Sequence, residues 1–264
     1  IGIPIKKLLN LNATQFGLLT ATPVLTGSLI RVPLGIWTDR YGGRIVMTLL
    51  MVATVPAIWL MAYATAYWHF LLIGLFVGLA GGSFSVGTPY VARWFPSNRQ
   101  GMAMGIYGAG NSGSAVNKFI APVLLVAFGW NIVPQVYAAI MAGAVVLFWF
   151  FSFSDPTHLV TTRVKFSEQL KTLKDPKVLK YCQYYSIVFG GYVALALWMV
   201  QYYIGEFGLE IRVAALLAAC FSLPGGVLRA VGGWLSDKYG AHSVTWWVLW
   251  VSWICLFLLS YPQT

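Results

Sequence analysis

The chain predicts an all-α integral membrane protein, on three observations. Long apolar runs recur along it: 59% of its residues are hydrophobic and 9% charged, against roughly 25% charged in a soluble domain. One run, residues 15–44, holds a single arginine, Arg31, among about twenty apolar positions and ends in the charged turn Asp39-Arg40-Tyr41-Gly42. The same pattern returns at residues 217–240. Arg229 follows Arg31 by 198 residues, as Asp237 follows Asp39, Tyr239 follows Tyr41 and Gly240 follows Gly42; Gly35 meets Gly233 and Gly27 meets Gly225 in the same register. A repeat far longer than a solenoid period that keeps a charge inside an apolar run indicates two copies of one membrane half, as transporter folds use. Barrel strands are excluded, because they would be short and alternating.

A bilayer core needs about 20 apolar residues, and eight stretches qualify: roughly 14–37, 44–66, 68–92, 101–128, 131–154, 178–203, 211–236 and 242–261. The loops between them alternate in charge. Arg40 and Arg44 mark the first loop, and Arg93 and Arg99 the third. Arg163, Lys165, Lys171, Lys174, Lys177 and Lys180 mark the fifth, and Lys238 the seventh. The second and fourth carry no Lys or Arg, and the sixth sets Arg212 against Glu206 and Glu210. Basic loops stay in the cytoplasm, so the odd loops face inward, in a multi-pass protein of the cell's inner membrane. Lys6 and Lys7 fall on the outer side by this parity, which an external loop tolerates. The net charge of +10 therefore belongs to one side of a membrane and not to a nucleic-acid-binding face. Tyr67, Trp68, Trp130, Tyr202, Tyr203, Trp246 and Trp247 gather near helix ends, as an interfacial aromatic belt does.

The fifth loop, 155–177, is the long polar segment and divides the chain into 1–154 and 178–264. Its Asp155-Pro156 and Asp175-Pro176 steps suit helix boundaries. Residues 163–174 form either an amphipathic helix on the inner surface or a plain linker. The chain opens at Ile1 and closes on Pro262-Gln263-Thr264, and the expectation is a fragment lacking helices at both ends. Cys182, Cys220 and Cys255 lie in or beside apolar runs without metal spacing or a disulfide framework. They read as small buried hydrophobes, and neither metal nor cofactor is expected.

Residues 101–122 depart from an ordinary span. Gly101, Gly105, Gly108, Gly110 and Gly113 interrupt it, with Asn111, Ser112, Ser114 and Asn117 beside them. Small residues let helices approach closely. So many glycines with a polar stripe point further, to a site-lining helix that rocks against a partner and lets Asn111 reach a ligand. Lys118 either lines the pathway beside Asn117 or snorkels outward.

Away from the ends of the predicted spans stand two arginines, Arg31 and Arg229, one lysine, Lys118, and no carboxylate. Arg31 precedes Asp39 by eight residues, about 12 Å along a helix, close to the midplane of a core about 30 Å thick. A buried cation without an anionic partner is costly, so an anion should visit these positions. A guanidinium is planar, always charged and bidentate, and so suits a planar oxyanion. The absence of an intramembrane Asp or Glu argues against a sugar or cation carrier built on a carboxylate proton relay.

The turn Gly35-Ile36-Trp37-Thr38-Asp39-Arg40-Tyr41-Gly42-Gly43-Arg44 resembles the signature loop between helices two and three of the major facilitator superfamily, and residues 233–240 resemble its echo after helix eight. Gly110-Asn111-Ser112-Gly113 resembles the nitrate signature in helix five of the nitrate/nitrite porter family. The resemblance implies a two-bundle transporter with about eight of twelve transmembrane helices present. Residues 1–154 would be the N-terminal bundle (helices two to six), 155–177 a cytoplasmic linker and 178–264 the start of the C-terminal bundle (helices seven to nine). It further implies that Arg31 and Arg229 clamp the anion, that Phe84 flanks it, that Tyr185 and Phe189 complete the pocket, and that Asn111 is the signature asparagine. The second nitrate signature of the family would lie beyond Thr264.

The expectation is a secondary transporter, not an enzyme, that moves nitrate, and nitrite with it, by alternating access. Gly101–Gly113 would be a sliding surface. Asp39 and Asp237, beside Arg40 and Lys238 at helix ends, would latch one closed state through charge and helix-terminus contacts. The alternatives are a nitrate/nitrite exchanger, an organic phosphate or other anion antiporter of the same superfamily, and, from another class, a sensor or channel. Proton symport and exchange both fit a site without carboxylates, and the intact Asp-Arg-Tyr-Gly-Gly-Arg loop leans toward symport. Beyond the anion, protons and the lipid bilayer, no nucleic-acid or obligate protein partner is expected.

Overall fold

The computed structural model describes residues 5–6, 8–154 and 171–261. Among them every regular element is helical. The first span, Ala13–Tyr41, starts with a reciprocal cap: the Asn12 side chain accepts from the Gln15 N–H at 2.8 Å, and Gln15 returns the favour to the Asn12 N–H at 3.1 Å. It divides at Ile30 into α1 (Ala13–Leu29) and α2 (Arg31–Tyr41). Pro33 causes the division, since it donates no hydrogen bond to the Leu29 carbonyl and its ring crowds that oxygen. Arg31 thus opens α2.

A turn at Gly42 leads into α3 (Gly43–Leu60). α4 (Tyr67–Gly78) and α5 (Ser83–Ala92) form one span broken by a tighter 3₁₀ stretch, Leu79–Gly82. Residues 100–128 repeat that design: α6 (Gln100–Gly108), a 3₁₀ stretch Ala109–Ser112, then α7 (Gly113–Phe128). α8 (Ile132–Phe151), α9 (Pro176–Phe207), α10 (Ile211–Tyr239) and α11 (Ala241–Leu259) follow. α9 begins as the Asp-Pro step predicts, with Asp175 accepting from the Lys177 N–H at 2.8 Å and Pro176 in the first turn. The rest of the expected linker helix, 163–174, lies for the most part outside the described residues.

Seven of these helical segments are long and apolar enough to span a bilayer. The eighth expected span, 101–128, is helical throughout but is not among them, because Asn111, Ser112, Ser114, Asn117 and Lys118 dilute its apolar run. The three cysteines correct an expectation: Cys182, Cys220 and Cys255 are all exposed rather than buried. They lie on α9, α10 and α11, where each thiol counts as a small hydrophobe.

The two copies of the repeat share backbone geometry at the turn. Gly42 has φ 85° and Gly240 φ 87°. Each donates its N–H four residues back, to Thr38 and Ser236, at 3.0 Å. Each accepts from the residue four ahead, Val46 and Val244, at 3.3 Å. A Cβ is strained at such φ values, so glycine is required at both.

Contacts divide the chain into two units, Ile1–Arg93 with Asn117–Lys171 and Trp94–Val116 with Thr172–Thr264. The first unit has one apolar cluster around Phe16, Leu19 and Phe70 and another around Leu34, Val46, Met47, Leu50 and Val86. Its α1 and α4 approach through small residues: a Cβ on Gly27 would stand 2.8 Å from the Gly78 carbonyl oxygen and 3.1 Å from Gly81 Cα. In the second unit α6 lies along α10. Lipid tails are as apolar as Leu, so such backbone-close packing supplies the cohesion that hydrophobic burial supplies in water.

Gly42→Ala and Gly240→Ala should each cost about 1–2 kcal/mol, the strain of a Cβ at positive φ. Gly17→Ala, in mid-helix with nothing within 4 Å of the added methyl, should be neutral or slightly stabilising. Thermal unfolding of the three variants in detergent checks the contrast.

Candidate functional site

In the first unit Arg31 is fixed by what Pro33 and the glycines do. The break at Ile30 sets Arg31 at the head of α2, and the close approach of Gly27 to Gly81 brings the backbone of the Leu79–Gly82 stretch alongside. The Arg31 Nε–H donates to the Gly81 carbonyl at 3.3 Å. Hydrogen bonding through Nε anchors the guanidinium. Phe84 follows that stretch at the start of α5 and is half-buried.

The charged end of this unit is tied by an ion pair. Asp39 pairs with Arg93, whose Nη2 donates to Oδ1 at 2.6 Å with side chains 25% and 40% exposed. Exposed pairs contribute about 0–1 kcal/mol, so this contact orients more than it stabilises. Nearby, Arg44 donates to the Trp149 carbonyl at 2.6 Å and lies 4.4 Å from that ring's centroid, a cation closing the C-terminal end of α8. Of the two expected pathway residues, Asn117 accepts from the Tyr137 hydroxyl at 2.6 Å, which ties α7 to α8. Lys118 next to it is half-buried.

In the second unit the glycines of α6 have a clear use. A Cβ on Gly105 would collide with the Arg229 carbonyl of α10, and one on Gly233 with the Gly101 carbonyl. A Cβ on Gly226 would stand 2.7 Å from the Ser112 nitrogen. Gly110 and Gly113 differ, with nothing within 4 Å of an added Cβ. At the charged end Asp237 accepts from the backbone N–H groups of Gly101 and Met102, both at 2.8 Å, so a carboxylate sits on the positive terminus of α6. Lys238 turns to the rings of Trp234 and Tyr239, at 5.3 and 5.1 Å.

Between these ends stands Arg229. Its guanidinium carbon lies 5.4 Å from the Phe189 centroid and 5.5 Å from that of Tyr192. On another side, a Cβ on Gly108 would come within 3.0 Å of Arg229 Cδ. Tyr185 stacks on Phe189 at 5.0 Å and 20°. Asn111 donates to the Gly108 carbonyl at 3.2 Å, closing the polar turn beside the arginine. The structure thus brings Arg229, Tyr185, Phe189, Gly105, Gly108 and Asn111 together in one unit, while Arg31 and Phe84 belong to the other. Among the described residues of its unit, the Arg229 guanidinium donates no hydrogen bond; a guanidinium's planar fork of N–H groups is the geometry that pairs with oxyanions in general.

Two residues enter that the sequence expectation lacked. Tyr192 extends the Tyr185–Phe189 face at i+7, a helical period that was legible. Arg93 is the counter-ion of Asp39 across 54 residues, a pairing without local signal.

The sequence profile described as Major Facilitator Superfamily matches residues 1–264. The chain is 38% identical over 275 residues to the "Probable nitrate/nitrite antiporter NarK1" of Thermus thermophilus, covering 100% of this chain and 62% of that protein. It is 34% identical over 232 residues to the "Nitrite extrusion protein" of Bacillus subtilis, covering 87% and 58%. It is 32% identical over 228 residues to the "Probable nitrate transporter NarT" of Staphylococcus epidermidis, covering 86% and 58%. The chain therefore spans about three fifths of the length of these relatives.

Because Gly105 abuts the α10 backbone and Gly110 faces open space, Gly105→Val should lower the thermal unfolding temperature of the full-length protein by several degrees. Gly110→Val should leave it near the parent value. Equal losses would mean that the α6–α10 approach contributes no more than helix propensity.

Proposed function

Since this chain belongs to the Major Facilitator Superfamily and is a multi-pass protein of the cytoplasmic membrane, we propose that it is part of a secondary transporter that moves nitrate, and nitrite with it, by alternating access. The observation that carries this is Arg229: a permanent cation within a spanning helix, steadied by aromatic rings. A cation there is expensive unless an anion neutralises it. A planar monovalent oxyanion matches the guanidinium fork and the flat rings around it. The names of the relatives, a nitrate/nitrite antiporter, a nitrite extrusion protein and a nitrate transporter, support the same substrate class.

In this proposal Arg31 is the second anion-binding cation, contributed by the other copy of the repeat. Phe84, Tyr185 and Phe189 flank the anion, and Asn111 contributes its amide. Residues 1–154 and 178–264 act as the two rocking bundles, joined by 155–177. Gly101, Gly105 and Gly108 form the packed part of the moving surface, with Gly110 and Gly113 giving it freedom, and Lys118 lies along the pathway. Asp39, Arg40, Asp237 and Lys238 latch the helix ends. Neutralising the arginines lowers the cost of closing the pathway, and closure then commits the anion. An organic phosphate would demand more cationic donors than these residues offer.

Coupling separates two mechanisms. Uptake by proton symport follows from the intact charged loop. Nitrate/nitrite exchange is favoured by the printed name of the Thermus thermophilus relative.

The test is nitrate flux into proteoliposomes holding the full-length protein, with Arg31→Lys and Arg229→Lys measured alongside at two pH gradients. Lysine keeps the charge but loses the bidentate fork, so both variants should lose at least about 90% of the flux, the tenfold that about 1.4 kcal/mol sets. Flux that follows the proton gradient supports symport, and flux that requires nitrite inside supports exchange. Undiminished flux in both variants would overturn the arginine site. A wild-type protein that ignores nitrate and moves an organic phosphate would overturn the substrate.

A further inference from the structure

We infer that Tyr192 is a positioning residue for Arg229, holding the guanidinium by its ring face so that the N–H edge is presented ready-made to the anion. This rests on the anion-binding reading of Arg229 and adds a residue to it. Three contacts carry the inference. The Tyr192 ring lies 5.5 Å from the Arg229 guanidinium carbon, beside the Phe189 ring at 5.4 Å. Tyr192 is itself held by two further rings: it stacks with Phe189 at 6.4 Å and 26°, and with Phe221 of α10 at 5.7 Å and 29°. Its hydroxyl donates to the Ser222 carbonyl of α10 at 3.2 Å.

These contacts place the ring where an arginine on α10 needs it. Side chains on a helix lean toward its N terminus, so Arg229 reaches back toward the turn that carries Ser222 and Phe221. Gly225 lies between, and an added Cβ there would stand 2.9 Å from Tyr192 Cε2. The missing side chain lets the ring approach the helix. Tyr192 therefore bridges α9 to the helix that bears the arginine and also supplies an electron-rich face to its head group. A long arginine side chain carries substantial rotamer entropy, and an anion would have to freeze it on binding. Cation–π contact freezes it beforehand, and preorganisation of this kind appears as affinity.

The experiment measures nitrate KM and Vmax for the full-length protein in proteoliposomes, with Tyr192→Phe, Tyr192→Leu, and position 192 carrying phenylalanine fluorinated progressively on the ring. Fluorination drains the negative face of the ring while leaving its shape nearly unchanged, so folding is preserved across the series. Tyr192→Phe should stay within about twofold of the parent KM. The fluorinated series should raise KM stepwise to about fivefold, the scale of a cation–π contact, with Vmax held. Tyr192→Leu should raise KM at least as far; if it fails to fold, the fluorinated series decides alone. A KM flat across the fluorinated series overturns the inference while leaving the anion site standing. So does a loss complete at Tyr192→Phe that fluorination does not deepen. A parent protein that moves neither nitrate nor nitrite overturns the anion reading, and the role of Tyr192 falls with it.

Discussion

A guanidinium placed within hydrocarbon is the constraint on which the rest depends. A guanidinium keeps its charge, and hydrocarbon offers nothing to solvate it. In the proposed transporter the protein compensates this charge in part and leaves the remainder to the visiting anion. The two copies of the repeat meet this demand by different means. Among its contacts, Arg31 donates to the backbone carbonyl of Gly81. Arg229 lies against the faces of Phe189 and Tyr192. Carbonyl dipoles and ring quadrupoles share a property, in that both attract a cation without carrying a formal charge.

The glycines serve this end. A carbonyl reaches Arg31 because the Leu79–Gly82 stretch lies against α1, where the Gly27 and Gly81 backbones nearly touch. In the other unit Gly105 and Gly108 bring α6 against the backbone and side chain of Arg229 itself. Close packing in a bilayer is won by van der Waals contact between backbones, and here the positions of closest approach are also the positions beside the cations. Cohesion and site geometry therefore come from the same small residues, and a substitution that fills the gap disturbs both.

Much of this was legible in the chain because it depends on short-range periodicity. The apolar runs, the Asp-Pro start of α9, the 198-residue register and the turn glycines at 42 and 240 all follow from spacing and from φ values that only glycine adopts freely. The Tyr185–Phe189 pair was legible as one helix face, and Tyr192 lay one step further along it. Partners set by tertiary placement were not. Asp39 meets Arg93, 54 residues on, because two helix ends far apart in sequence come together. The exposed cysteines show the converse: an apolar neighbourhood in sequence does not say which side of a helix a residue occupies. Gly110 and Gly113 shared the glycine pattern of residues 101–108 but not its packing, since composition does not reveal which side of a helix meets a neighbour.

The 3₁₀ stretch Ala109–Ser112 has a geometric effect on the helix it interrupts. Each α residue advances the side-chain direction by about 100° and each 3₁₀ residue by about 120°, so four such residues swing the following face by about 80° more than an uninterrupted helix would. The chain passes from one contact unit to the other a few residues later, between Val116 and Asn117. Before the stretch, Gly101, Gly105 and Gly108 address α10; after it, Asn117 addresses Tyr137 of α8. A short change of pitch thus works as a phase shifter, turning the side chains that follow it out of line with those before it.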